Sequence, residues 1–152
     1  MAALVWWKQE TDVWIAHRLG DSTVTNLLPG GANNIVNTVL PEQSATQYPL
    51  LEFHEAGTIP TVCLSGMEDG AELEYMMQVY HPDPEWDAMK ALLLAVGARF
   101  FDSQGVPIAE AYNGYVFTVL GRLAEFGGVK TTPGGVLYAN GGFRWKFRAS
   151  LN

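Results

Sequence analysis

Residues 71–97 read Ala71-Glu72-Leu73-Glu74-Tyr75-Met76-Met77-Gln78-Val79-Tyr80-His81-Pro82-Asp83-Pro84-Glu85-Trp86-Asp87-Ala88-Met89-Lys90-Ala91-Leu92-Leu93-Leu94-Ala95-Val96-Gly97. Within this stretch the apolar period changes from two to about 3.6. Leu73, Tyr75, Met77 and Val79 fall on one side of an extended chain, with Glu72, Glu74, Met76 and Gln78 on the other, so Ala71–Tyr80 is predicted as a strand with one buried face. His81-Pro82-Asp83-Pro84 breaks it. Asp83 can cap a helix, with Pro84 in the first turn where its missing N–H costs nothing. Trp86, Met89, Leu92, Leu93 and Val96 make that helix's buried stripe, and Gly97 ends it. A strand passing directly into a helix that must cover it requires a layered mixture of the two.

Upstream, the apolar and polar spacing over Val5–Leu19, with Trp7, Val13 or Trp14, His17 and Arg18, predicts a first helix that stops at Gly20. Asp21 or Ser22 then caps a short helix ending by Leu28, before Pro29-Gly30-Gly31. Ile35–Leu40 reads as a short strand and Glu42–Gln47 as a loop. Tyr48–Glu55 reads as a strand with Pro49 at its start. Gly57–Gly70 is expected to be a long loop or hairpin. Downstream, Tyr115–Arg122, Val136–Ala139 and Phe143–Ala149 are β-prone. Glycine pairs recur every seven residues at 127–128, 134–135 and 141–142. They predict a mobile loop around Thr131–Gly135 and a turn or bulge at Asn140-Gly141-Gly142. The chain is therefore expected to be one α+β domain over residues 1–152, with helices packed on one face of a mostly antiparallel sheet.

Apolar residues make up 48% of the chain and charged ones 16%. Charged residues usually account for about 25%, so the surface is expected to carry apolar area that partners cover. The net charge of −7 argues against a dedicated nucleic-acid binder. It is unevenly spread. Residues 1–121 hold four basic and fifteen acidic side chains (net −11), whereas residues 122–152 hold five and one (net +4), which suits stacking on copies of itself or on a mixed-charge partner. No segment approaches the roughly 20 apolar residues of a membrane span. The opening run Met1–Trp7 is followed at once by Lys8, Glu10 and Asp12, unlike a signal peptide. With Cys63 as the single cysteine, no intrachain disulfide is expected and the protein is placed on the cytoplasmic side.

Catalytic patterns fail on context. His17, His54 and His81 lack a second ligand at helical metal spacing. His54 shares a strand with Glu52 and Glu55, but neighbouring residues in a strand point to opposite faces. Nothing pairs Cys63 with His54, and Ser65-Gly66 lacks the glycine a nucleophile elbow needs. Lys130-Thr131 beside glycines leads into a strand rather than a helix, so it is no phosphate loop. No catalytic residue, cofactor or metal is therefore expected. One positive signal remains. Phe143, Trp145 and Phe147 alternate with Arg144, Lys146 and Arg148, a basic row suited to guarding a strand edge or facing an acidic neighbour.

Four features in order carry a resemblance. They are Leu19-Gly20-Asp21-Ser22-Thr23-Val24-Thr25-Asn26-Leu27-Leu28, then Gln47-Tyr48-Pro49-Leu50-Leu51-Glu52-Phe53, then the strand-to-helix exchange from Leu73–Tyr80 to Trp86–Val96, and the closing Phe143-Arg144-Trp145-Lys146-Phe147-Arg148. Across nearly the whole chain this resembles the tail-terminator (tail completion) family of long-tailed phages and gene-transfer particles. The loops Thr58–Gly70 and Phe126–Gly135 are longer than that pattern, and Val5-Trp6-Trp7 departs from it. The segments Trp86–Gly97, Tyr115–Phe126 and the closing strand also look like a tail-tube subunit. The resemblance implies a virion protein, assembled in the host cytoplasm as a hexameric ring that caps the tail tube and joins it to the head-completion (stopper) protein in the neck. DNA would pass through the ring, and no membrane is involved. Arg144, Lys146 and Arg148, with Lys130, Thr131 and Thr132 of the glycine loop, are the expected interface or lumen residues. A small-molecule domain with Trp6, Trp7, Trp14 and Trp86 lining a pocket is the rival from another class.

Overall fold

A computed structural model describes residues 5–37, 49–62, 68–82, 86–131, 134–135 and 137–152. The first helix, α1 (Trp7–Leu19), is followed by α2 (Ser22–Thr25) and a 3-10 turn at Gly31–Asn34. Strands β1 (Ile35–Val36), β2 (Leu50–Val62) and β3 (Glu68–His81) lead to α3 (Trp86–Gly97), and β4 (Ala109–Tyr112), β5 (Tyr115–Thr131) and β6 (Leu137–Leu151) complete the chain. Among the described residues the strands form one sheet in the order β1-β2-β3-β6-β5-β4. Only the β1–β2 pair is parallel. After β3 the chain leaves the sheet through α3, builds the far edge with β4 and β5, and returns as β6 between β5 and β3.

The alternation in β3 and β6 decides which face is buried. Leu73, Tyr75, Met77 and Val79 of β3 stand opposite Phe147, Trp145, Phe143 and Gly141 of β6, and all but Phe143 are buried. Helices α1 and α3 cover this face. Trp14 of α1 lies at its centre, stacked on Phe117 at 4.9 Å and edge-on to Phe147 and Phe100 at 5.6 and 5.8 Å. From α3, Met89, Leu92 and Val96 join the same core. Full burial of side chains this large contributes about 1.5–3 kcal/mol each.

Polar contacts set the position of α1. The Tyr75 hydroxyl donates to Asp12 Oδ1 at 2.5 Å, and Lys8 closes on the other oxygen of that carboxylate. Burial together with this carboxylate pushes the Tyr75 phenol far above its ordinary value. At the other end, Arg18 donates to the Arg99 carbonyl and to Glu110 Oε2, while Arg99 Nε donates back to the Arg18 carbonyl at 2.8 Å. Asp21 caps α2 by accepting from the Thr23 N–H at 3.1 Å, as anticipated, although α2 stops at Thr25.

Several expected boundaries move. Of the two readings of Gly57–Gly70 the hairpin holds and the long loop does not: β2 runs to Val62 and pairs antiparallel with β3, which starts at Glu68. Pro60 is tolerated there because β1 pairs only with Leu51 and Glu52, leaving the rest of β2 an edge where a ladder donor can be missing. The glycine segment after Phe126 is strand as far as Thr131. Asn140-Gly141-Gly142 lies within continuous β6 and makes no turn. A Cβ on Gly142 would fall on the Met77 carbonyl oxygen, so close strand approach is what requires glycine there. Strand β4, with its Asn113-Gly114 turn, is an addition to the expected elements. Residues 38–48 and 63–67, including Tyr48, the Glu42–Gln47 loop and Cys63, fall outside the described residues.

Candidate assembly surfaces

Both edges of the sheet are open over long spans. Among the described residues, β1 covers only the start of β2, leaving Phe53–Val62 without an outer strand; on the other side β4 pairs with Tyr115–Thr118 and the Val119 N–H donates to the Ile108 carbonyl, leaving Leu120–Thr131 of β5 uncovered. Among the described residues no strand pairs with the outer side of either span, and the backbone donors and acceptors there are ones a further strand can take up. Polarity is suited to repetition. Strands β2, β3, β6 and β5 alternate in direction, so β5 of one copy beside β2 of another would continue the antiparallel alternation without inverting a subunit. The two covers sit at opposite ends of the strands, so the free spans are staggered. A sheet that closes on itself requires such a stagger. Two irregularities in β5, at Val119/Gly121 and Arg122/Ala124, and one in β2, at Glu55/Gly57, bend these edges.

The sheet face turned away from the helices carries the basic row. Arg148 stands opposite Glu72, Lys146 opposite Glu74 and Arg144 opposite Met76. The ion pairs run diagonally: Lys146 Nζ lies 3.2 Å from Glu72, and Arg144 Nη1 lies 3.7 Å from Glu74. The row is thus half of a charge ladder whose five groups sum to +1, and pairs this exposed contribute about 0–1 kcal/mol. Lys130 and Thr131 are exposed at the end of β5, away from the ladder. Thr132 lies outside the described residues.

Higher on the same face is a polar chain that strand alternation alone does not reveal. Glu52 is fully buried; Gln78 Nε2 donates to its Oε2 at 2.7 Å, and His54 Nδ1 lies 2.6 Å from its Oε1. Asn140 Nδ2 donates to Gln78 Oε1 at 3.2 Å, linking β2, β3 and β6. Burial raises the Glu52 carboxyl above its ordinary value, against the pull of the Gln78 and His54 contacts. This pair is the one that sequence inspection set aside because His54 and Glu55 oppose each other. The relevant partner is Glu52, two residues back and on the same face.

On the helix face, two features flank the open edges. Trp6 is 70% exposed and lies in a cleft with Glu55, Thr58 and Pro60 of β2. Beside β5, a groove of about 270 Å³ runs under α3, lined by Lys90, Leu93, Leu94, Arg122, Glu125 and Phe143. Of the four tryptophans, Trp6 and Trp7 line the cleft beside β2 together, Trp14 is buried in the core away from it, and the Trp86 side chain lies outside the described residues. Among the described residues no group of three or more His, Cys, Asp or Glu side chains could hold a metal ion, and no helix is long and apolar enough to cross a membrane.

No protein-family model matches the chain, and no curated protein matches it. Among solved structures it is similar to a chain of the virion of a native gene transfer agent particle, with a TM-score of 0.54 and 16% identity over 90% of both chains. At that identity the likeness is one of fold, and it spans nearly the whole of both chains.

Proposed function

We propose that the chain is a structural subunit of a phage-like or gene-transfer particle, and specifically a tail terminator. The observation that carries this is the fold shared with a chain of a gene transfer agent virion over 90% of each. The role is assembly, not catalysis. Copies would meet head to tail, with β2 of one beside β5 of the next, in a ring that closes after a fixed rotation. Strand addition of this kind draws affinity from main-chain hydrogen bonds and needs no special residue at the edge. The staggered free spans and the conserved strand polarity support it. The ring, about six subunits by the family resemblance, would cap the tail tube and meet the head-completion protein in the neck, with DNA passing through. A tube subunit is the alternative, favoured by the long β5–β6 ladder. A single sheet covered on one face by α1 and α3 suits a terminator better than a sandwich-like tube subunit.

The test is the mass of the purified protein across a concentration series, with negative-stain images of the largest species. Closed rings are expected; open-ended tubes would transfer the assignment to the tube subunit. Strictly monomeric protein that also fails to add to purified tail tubes would refute both. Replacing Arg144, Lys146 and Arg148 by glutamate is expected to impair ring formation or docking. Adding Glu72→Lys and Glu74→Lys to that variant restores pairing within the subunit. If it also restores assembly fully, the basic row serves the subunit alone.

A further inference from the structure

We infer that Trp6 of one copy seats in the groove under α3 of the next copy, a contact that rests on the head-to-tail arrangement proposed above. Both features lie on the helix face, and each borders an open strand edge. Laid antiparallel, the free span Phe53–Val62 of β2 runs against Leu120–Thr131 of β5. The helix-face residues beside Trp6, Glu55 and Thr58, then come level with Arg122 and Glu125, which border the groove. Strand pairing and the Trp6 contact therefore form in one docking movement.

Size and charge agree with this occupant. The groove, about 270 Å³, with Leu93, Leu94, Phe126 and Phe143 as its apolar lining, has room for one indole. Leu94 on its rim is 73% exposed, so apolar surface is left open on both sides of the contact. The Arg122 guanidinium already lies over the Phe143 ring at 4.1 Å. An inserted indole would cover its other face and add a second cation–π contact. The groove side carries Lys90 and Arg122 against Glu125. On the Trp6 side Lys8 is paired with the buried Asp12, which leaves Glu55 in the cleft and Glu10, one helical turn from Trp6, as the remaining charges. A net positive rim thus meets a net negative one, which steers association and fixes its direction. Tryptophans seated in well-packed, desolvated pockets are enriched among interface hot spots. Occupation by a copy of the same chain also gives the contact a direction, since knob and groove are different surfaces of one subunit.

The experiment is disulfide trapping between two singly substituted proteins, each in a Cys63→Ser background. One carries Trp6→Cys and the other Leu94→Cys; both positions are exposed, so folding is expected to survive, and a melting curve for each checks it. Mixed under mild oxidation, they are expected to give a cross-linked heterodimer in excess over either protein alone. In parallel, Trp6→Ala is expected to raise the concentration for half-assembly at least about tenfold, in line with loss of an aromatic hot spot. Assembly without the heterodimer, or unchanged assembly by Trp6→Ala, overturns the Trp6 contact and leaves the ring standing. No assembly by the unsubstituted protein and no cross-link at any concentration overturns both.

Discussion

Gly142 and Gly128 offer the same substitution with opposite expected outcomes. Both are second members of glycine pairs and both lie in strands without a positive φ. Gly142 sits in β6 between Gln78 of β3 and Phe126 of β5. A methyl group there would fall on the Met77 carbonyl oxygen and within 2.7 Å of the Gln78 Cα. These are backbone atoms of a central strand, and no rotamer change can move them. Relief would require opening the β3–β6 ladder beside the buried Gln78. Overpacking costs about 1–3 kcal/mol and occasionally more, and backbone displacement puts Gly142→Ala at the upper end, about 3 kcal/mol. For a chain of this size that lowers the melting temperature by about 6–12 °C. Around Gly128 nothing lies within 4 Å of the added carbon. Gly128→Ala should instead stabilise by about 0.4–1 kcal/mol through the unfolded chain, raising the midpoint by about 1–4 °C. Thermal unfolding followed by far-ultraviolet circular dichroism, on both variants at one concentration, is the assay. If Gly142→Ala melts with the unsubstituted protein, or the two variants shift together, the close approach of β6 to β3 is wrong.

Two other outcomes follow from the buried polar and aromatic groups. Because burial raises Glu52, its stabilising contribution is complete below the ordinary glutamate value of about 4.3 and is lost as pH rises through the raised one. Glu52→Gln should therefore gain on the unsubstituted protein as pH increases from acid to neutral, read as urea midpoints at each pH; a gain in the opposite direction would refute the burial argument. Trp14→Ala should cost about 3–5 kcal/mol, seen as a lower urea midpoint with an unchanged slope, since Trp14 touches Phe100, Phe117 and Phe147 at once; a loss under about 1 kcal/mol would show that the site collapses freely.

Helices and the buried strand faces were legible because period and capping are local. Asp21 caps α2 and Leu73–Val79 faces the core for reasons contained within a few residues. What escaped depends on neighbours far away in sequence. Asn113-Gly114, with φ of 51° and 84°, carries the composition of a two-residue hairpin turn, and Tyr112 and Tyr115 flank it. That signal was present and would have located β4. The glycine pairs are different. Gly127–Gly128 lies along an open edge, Gly135 holds a left-handed φ of 82°, and Gly141–Gly142 lets two strands approach. Composition is the same at all three, and only the register of β3 against β6 separates them. The basic row has the same history. Alternation correctly placed Arg144, Lys146 and Arg148 on one face, and the same rule placed Glu72 and Glu74 together on β3. Their adjacency is set by a crossover that carries the chain through α3, β4 and β5 before β6 returns beside β3. Once the two rows are neighbours, most of the positive field is spent inside the subunit. A wall facing DNA would then be close to neutral, and in the proposed ring the force joining copies would come from the strand edges and the apolar surfaces beside them.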